Sequence, residues 1–183
     1  MGAEVSILEF LQDADEKPFR FLVTKNGVSG LVSLSDIQRL PVRAALFASI
    51  TQFEMAMATL IDARYPEDCW LEHLSEERQE KIDVELANAS SSQNQVARLL
   101  YTQFADKTNL LRLIAKERGD PRSRNEFDAE FAHLQDLRNR VAHANSFGVT
   151  RADAVGVVDR VRRILAWIHW IELALQDTTK KDQ

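Results

Sequence analysis

The chain is predicted to be mainly α, an antiparallel helical bundle preceded by a small N-terminal helix–β-hairpin element. Beyond Ser35, apolar residues recur at three- and four-residue steps almost without relief, which is helical periodicity. Ahead of it, "FRFLVTKNGVSGLVSL" sets two β-prone runs around a turn. A length of 183 residues, 45% hydrophobic and 28% charged, describes a globular chain able to bury a real core.

In "VSILEFLQDA", Val5, Ile7, Leu8 and Leu11 fall at helical spacing, and Pro18 closes the connection that follows. The runs 19–23 and 28–32 flank Lys25-Asn26-Gly27, and an Asn-Gly pair between β-branched segments is a strong hairpin signal. Ser35-Asp36 can cap a short helix, and Pro41 suits the first turn of the next, over 42–65, which Pro66 stops. Ser75 caps a helix with acidic residues in its first turn, where the dipole favours them. "SSSQ" breaks the chain, and helices follow over 94–118, 124–144 and 150–177, separated by "GDPRS" and "NSFGV". These elements divide as 1–40 (the α-β-β element), 41–178 (the bundle) and a polar tail at 179–183.

In the last helix Val155, Val158, Val161, Leu165, Ile168 and Ile171 form a stripe widened by Trp167 and Trp170, expected to pack in the core. His169, between the tryptophans, is expected to be half-buried. The net charge of −5 is unevenly placed. Residues 62–88 hold nine acidic against three basic side chains, and residues 107–124 hold six basic against two acidic. The latter are either a solvated face or a patch that attracts phosphate.

Several classes are set aside. The lone Cys69 supports no disulfide framework and fits a reducing compartment. No basic-then-apolar secretory segment opens the chain, and Gln52 and Glu54 interrupt its longest apolar stretch, so no membrane partner and a cytoplasmic location are expected. His73, His133, His143 and His169 make no metal-ligand spacing and no cysteine pair assists them, so no metal and no cofactor are expected.

The residues that carry chemistry are in "LRNRVAHAN": Arg138, Asn139 and His143. An arginine, a polar residue and a histidine in "RNRVAH" resemble the Arg-x4-6-His motif of the HEPN superfamily, all-helical domains that include many metal-independent ribonucleases of toxin and anti-phage systems. The setting, on the penultimate long helix of a bundle and ahead of a long final helix, resembles it too, over roughly 42–176. The resemblance implies a homodimeric endoribonuclease with Arg138, Asn139 and His143 as catalytic residues in a composite site at the dimer interface. It also implies RNA as substrate, and an antitoxin or regulatory protein as a further partner.

At about 100° per residue, Arg138 and His143 lie about 140° apart around the helix, whereas Asn139 and His143 face the same way. Two copies across a two-fold axis could bring arginine and histidine into one cleft. The residue types suit scission by the RNA's own 2′-hydroxyl. Histidine can take or give the proton, and arginine offers a charged fork to the phosphate. The competing expectation is a non-catalytic helical dimer acting as an interaction or ligand-sensing module.

A second constellation is "GVSGLVSLSDIQRL", where strand, strand and Ser33-x-x-Asp36 opening a helix resemble the second half of a CBS motif. That resemblance implies an adenine nucleotide whose ribose is contacted by Ser33 and Asp36, with a helix N-terminus for its phosphate. Only one helix precedes the hairpin, so at most half such a unit is present. Ser35-Asp36 also reads as an ordinary helix cap, and the cap is the favoured of the two.

Overall fold

The computed structural model describes residues 1–90 and 98–181 and is mainly helical, with six α-helices and one two-stranded antiparallel sheet among them. In chain order these are α1 (Ile7–Leu11), β1 (Phe19–Thr24), β2 (Gly27–Ser33), α2 (Leu40–Arg64), α3 (Glu76–Ser90), α4 (Phe104–Glu117), α5 (Arg124–Ala142) and α6 (Arg151–Lys181). Single 3-10 turns cover Leu34–Gln38, Cys69–His73 and Arg98–Tyr101. Two compact units result, Met1–Phe53 with Ala132–Trp167, and Glu54–Phe131 with Ile168–Gln183, so α2, α5 and α6 each give one stretch to either unit.

In the first unit, α1 starts where the Ser6 hydroxyl accepts from the Leu8 N–H, and it buries Phe10 and Leu11. Arg162 of α6 anchors its end, donating to the Gln12 carbonyl and forking onto Asp15 at 2.8 and 2.6 Å. That fork holds the Asp15 carboxyl below its ordinary range. The hairpin pairs Phe19 with Ser33 and Phe21 with Leu31, and closes at Thr24 and Gly27. Of the turn residues only Gly27 has positive φ (104°), so Lys25-Asn26 form the tip and the glycine turns the chain into β2, in place of the Asn-Gly turn its sequence promises.

The register shifts after Leu22, where Ser29 is the extra residue, so that Val28 lies opposite Val23. Phe19, Phe21, Val23, Val28 and Leu31 thereby share the outward face, and all five are exposed. The outer edge of β1 is covered by the chain's first residues, with Ala3 N–H donating to the Val23 carbonyl and Val23 N–H to that of Met1.

Within this unit α2 buries Val42, Leu46, Ile50 and Phe53 at helical spacing. By length and composition alone α2 could cross a bilayer, and that buried face shows why it is so apolar within a folded unit. Its other side, Leu40, Ala44, Phe47, Ala48 and Thr51, is uncharged and exposed. On α6 the core line is Ala154, Val157, Val158, Val161, Ile164 and Trp167, which keeps the expected packing role but centres it beside Val155 and Leu165.

The second unit is tied at several helix ends. Glu117 of α4 accepts from Arg64 Nε and from the Tyr65 hydroxyl, both at 2.9 Å. Burial first, and then that carboxylate, push the Tyr65 phenol up to about 12. Arg78 of α3 forks onto the buried Asp106 carboxylate, which also accepts from the Gln103 N–H. This cap is why the expected helix over 94–118 does not run through: Gln103 is extended (φ −76°, ψ 163°), and α4 begins only at Phe104. The start of that expectation and most of "SSSQ" fall at 91–97, outside the described residues. At the other end of the chain, α6 continues past 177 to Lys181, so the expected tail is partly helical, and its last two residues are outside the described ones.

Candidate functional site

Leu134, Leu137 and Val141 are buried along α5, which turns Asn139 and the helix end to solvent and leaves Arg138 half-buried. Arg138 Nη1 donates to Asn139 Oδ1 at 3.4 Å. His143 is exposed one residue beyond the helix, its N–H still donating to the Asn139 carbonyl at 3.0 Å. The structure thus joins Arg138 to Asn139 through side chains and Asn139 to His143 through the backbone.

The expected helix end beside His143 is present, and it is built with care. Ala144 takes the left-handed conformation (φ 56°). Asn145 N–H reaches back to the Arg140 carbonyl at 2.9 Å and Ala144 N–H to that of Val141 at 3.4 Å, so the helix closes in a Schellman motif with His143 as C-cap. The same motif closes α4, where Gly119 (φ 86°) occupies the left-handed place.

Arg43, in the first turns of α2, gives the same carbonyls a second donor. Its guanidinium donates to Arg140, Val141 and Asn145 oxygens at 3.0, 3.1 and 2.8 Å and lies 4.7 Å from the Phe147 ring centre. Gln38, with its amide oriented by its partners, accepts from the N–H groups of Phe147 and Gly148 at 3.3 and 3.0 Å. Sequence reasoning missed both residues. Arg43 lies 97 residues from Arg140, and its only signal was a charge at the head of the longest apolar stretch. Arg140 is committed elsewhere: it pairs with Asp136 at 2.9 Å, which raises its pKa, and donates to the Ser146 carbonyl.

Ser33 and Asp36 are adjacent, as a ribose site would need, but both are used by the chain. One Asp36 oxygen accepts from the Ser33 N–H (2.8 Å) and hydroxyl (3.1 Å), and the other meets Arg39 Nε at 2.6 Å. The Ser33 hydroxyl also lies 2.6 Å from that of Ser35. This is the local cap of the Leu34–Gln38 turn, and a nucleotide would have to displace it.

Within 107–124 most of the basic side chains have intramolecular partners, which favours the solvated face over the phosphate-attracting patch. Lys107 is buried, and Lys116 donates to the Asp120 and Arg122 carbonyls. Arg118 pairs with Asp177, Arg122 with Asp120 and Glu130, and Arg124 with Asp128. His169 is corrected: its side chain is 71% exposed, 3.9 Å from Glu172, because Trp167 and Ile168 hold the buried side of α6. His73 packs against Tyr65 with the rings tilted and their centres 4.8 Å apart. Among the described residues no group of three His, Cys, Asp or Glu side chains is placed to hold a metal ion. Compared with known proteins, the chain matches no family model, no curated protein and no solved structure.

Proposed function

We propose that this chain is a metal-independent endoribonuclease of HEPN type that acts as a homodimer, in a toxin–antitoxin or phage-defence setting. The observation that carries the reading is the exposed end of α5, where the linked Arg138 and Asn139 and the C-capping His143 stand within one and a half helical turns. An imidazole can take or give a proton, and a guanidinium offers a charged fork to phosphate oxygens.

The RNA 2′-oxygen attacks the adjacent phosphorus as one His143 accepts its proton. The bond from phosphorus to the 5′-oxygen breaks as a second imidazolium, from the other copy, protonates the leaving oxygen. Arg138 offsets the charge on the phosphorane oxygens, and Asn139 holds the Arg138 fork. Products are a 2′,3′-cyclic phosphate and a 5′-hydroxyl.

Incubation of RNA in EDTA with the wild type, Arg138→Ala and His143→Ala tests this. Cleavage by the wild type alone is expected, with those ends, and with resistance where a single 2′-deoxy residue replaces the 5′-side nucleotide. Ends bearing 5′-phosphate, or undiminished cutting by His143→Ala, would refute it. A second reading, a non-catalytic helical dimer serving as an interaction module, draws on the uncharged exposed side of α2 and would take over if no RNA is cut.

A further inference from the structure

Phe19, Phe21, Val23, Val28 and Leu31 make the outward face of the hairpin, each between 45% and 68% exposed. Phe19 and Phe21 already meet edge to face, their ring centres 6.2 Å apart. The bulge extends the face: with the register of Phe21 and Leu31 carried straight on, Ser29 would lie opposite Val23, and the bulge puts Val28 there. No charged side chain belongs to it. Half-exposed side chains of this size present on the order of 500 Å² of apolar surface, at the upper end of what a monomer leaves bare.

We propose that this face packs against the same face of a second copy, the two hairpins forming a two-layer sandwich about a two-fold axis. Three arguments choose this occupant. The inner face of the hairpin is already covered, with Val32 buried and Arg20 over the Phe10 ring of α1, so only the outward face lacks a layer, which an aligned sheet about 10 Å away supplies. Two such faces, wholly covered, remove up to roughly 1,000 Å² from water, the least that a specific interface needs. An uncharged face of alternating ring and branched residues meets its own copy without repulsion and offers nothing to a polyanion. Face-on packing also fits the edges, since residues 1–3 cover that of β1 and the Ser29 bulge disrupts that of β2.

This inference goes beyond the proposed function and does not rest on it, since that reading needs a two-fold axis beside His143 and the hairpin seam needs one through the outward face of β1 and β2. The full chain is examined by sedimentation and light scattering as wild type, Phe21→Glu, Phe21→Lys and Phe47→Glu, with circular dichroism confirming that each variant is folded. The wild type is expected to be a dimer, the two Phe21 variants monomers with dissociation constants raised at least a hundredfold, and Phe47→Glu a dimer. Phe21 and Leu31 are the middle pair of the face, so a two-fold axis through its centre sets position 21 beside its own copy, and an equimolar mixture of Phe21→Glu and Phe21→Lys should recover the dimer; should both variants misfold, Val28→Glu, remote from the paired aromatics, carries the same test. A monomeric wild type, Phe21 variants that stay dimeric, or dissociation by Phe47→Glu alone would overturn the proposal, the last placing the seam on α2. A dimer that Phe21→Glu dissolves but that cuts no RNA in EDTA would dismiss the ribonuclease and leave the seam standing.

Discussion

Gly148 lies in the connection after His143, and a methyl group added there tests how tightly that connection is held. A Cβ at this position would sit 2.5 Å from Ile37 Cγ2, about 1 Å inside ordinary contact. Ile37 is 1% exposed, so its methyl has no open space to enter. Gly148 is not among the glycines with positive φ, so alanine meets no backbone penalty and the whole effect is steric. Overpacking of this kind costs about 1 to 3 kcal/mol, which in a chain of 183 residues lowers Tm by roughly 3 to 10 °C. Urea unfolding of Gly148→Ala would measure it. Repeating it in Ile37→Leu, which moves the branch from Cβ while conserving volume, should recover about 1 kcal/mol of coupling. A loss below about 0.5 kcal/mol, or the same loss in both backgrounds, would refute the reasoning.

Three further outcomes are expected. Ala144→Gly should stabilise the chain by about 0.5 to 1 kcal/mol and Gly119→Ala should destabilise it by a similar amount, since both occupy left-handed Schellman positions and a Cβ at 119 meets nothing within 4 Å; equal signs in thermal melts would contradict this. The hydrogen bond from Arg122, foremost, holds the Asp120 carboxyl below its ordinary 3.8, so its contribution is present above that value and lost as pH falls through the lower, folded one. Between about pH 5 and about pH 2, Asp120→Asn should therefore lose less stability than the wild type, and parallel curves would speak against the pair. Tyr65 should keep its proton until about pH 12, so that its contribution is whole below pH 10 and disappears through the higher value; a phenolate absorbance difference between wild type and Tyr65→Phe that rises at the ordinary tyrosine pKa would refute the assignment.

The helices, the hairpin and the helix end beside His143 were legible because local signals set them: apolar spacing, Pro41 and Pro66, and the turn formers around 119 and 148. The break ahead of α4 was not, because it depends on the Asp106 carboxylate capturing the Gln103 N–H while Arg78, from another helix, holds that carboxylate. Charge left two readings open for a related reason. Six basic residues in eighteen look like a patch until Asp177 and Glu130 arrive from other stretches of chain. The trio 138, 139 and 143 could be named from spacing, whereas Arg43 could not, since capping from 97 residues away leaves no periodic trace.

The way α2, α5 and α6 are each shared by the two units bears on the order in which the protein is made. No continuous stretch of sequence holds a complete unit: one needs residues up to Trp167 and the other needs Ile168 onward. Neither core can close on a growing chain until most of α6 has left the ribosome, so Leu46, Ile50 and Phe53 wait uncovered while more than a hundred later residues are added. Such a chain depends on holding factors, or on fast closure once released, far more than one whose first half folds unaided.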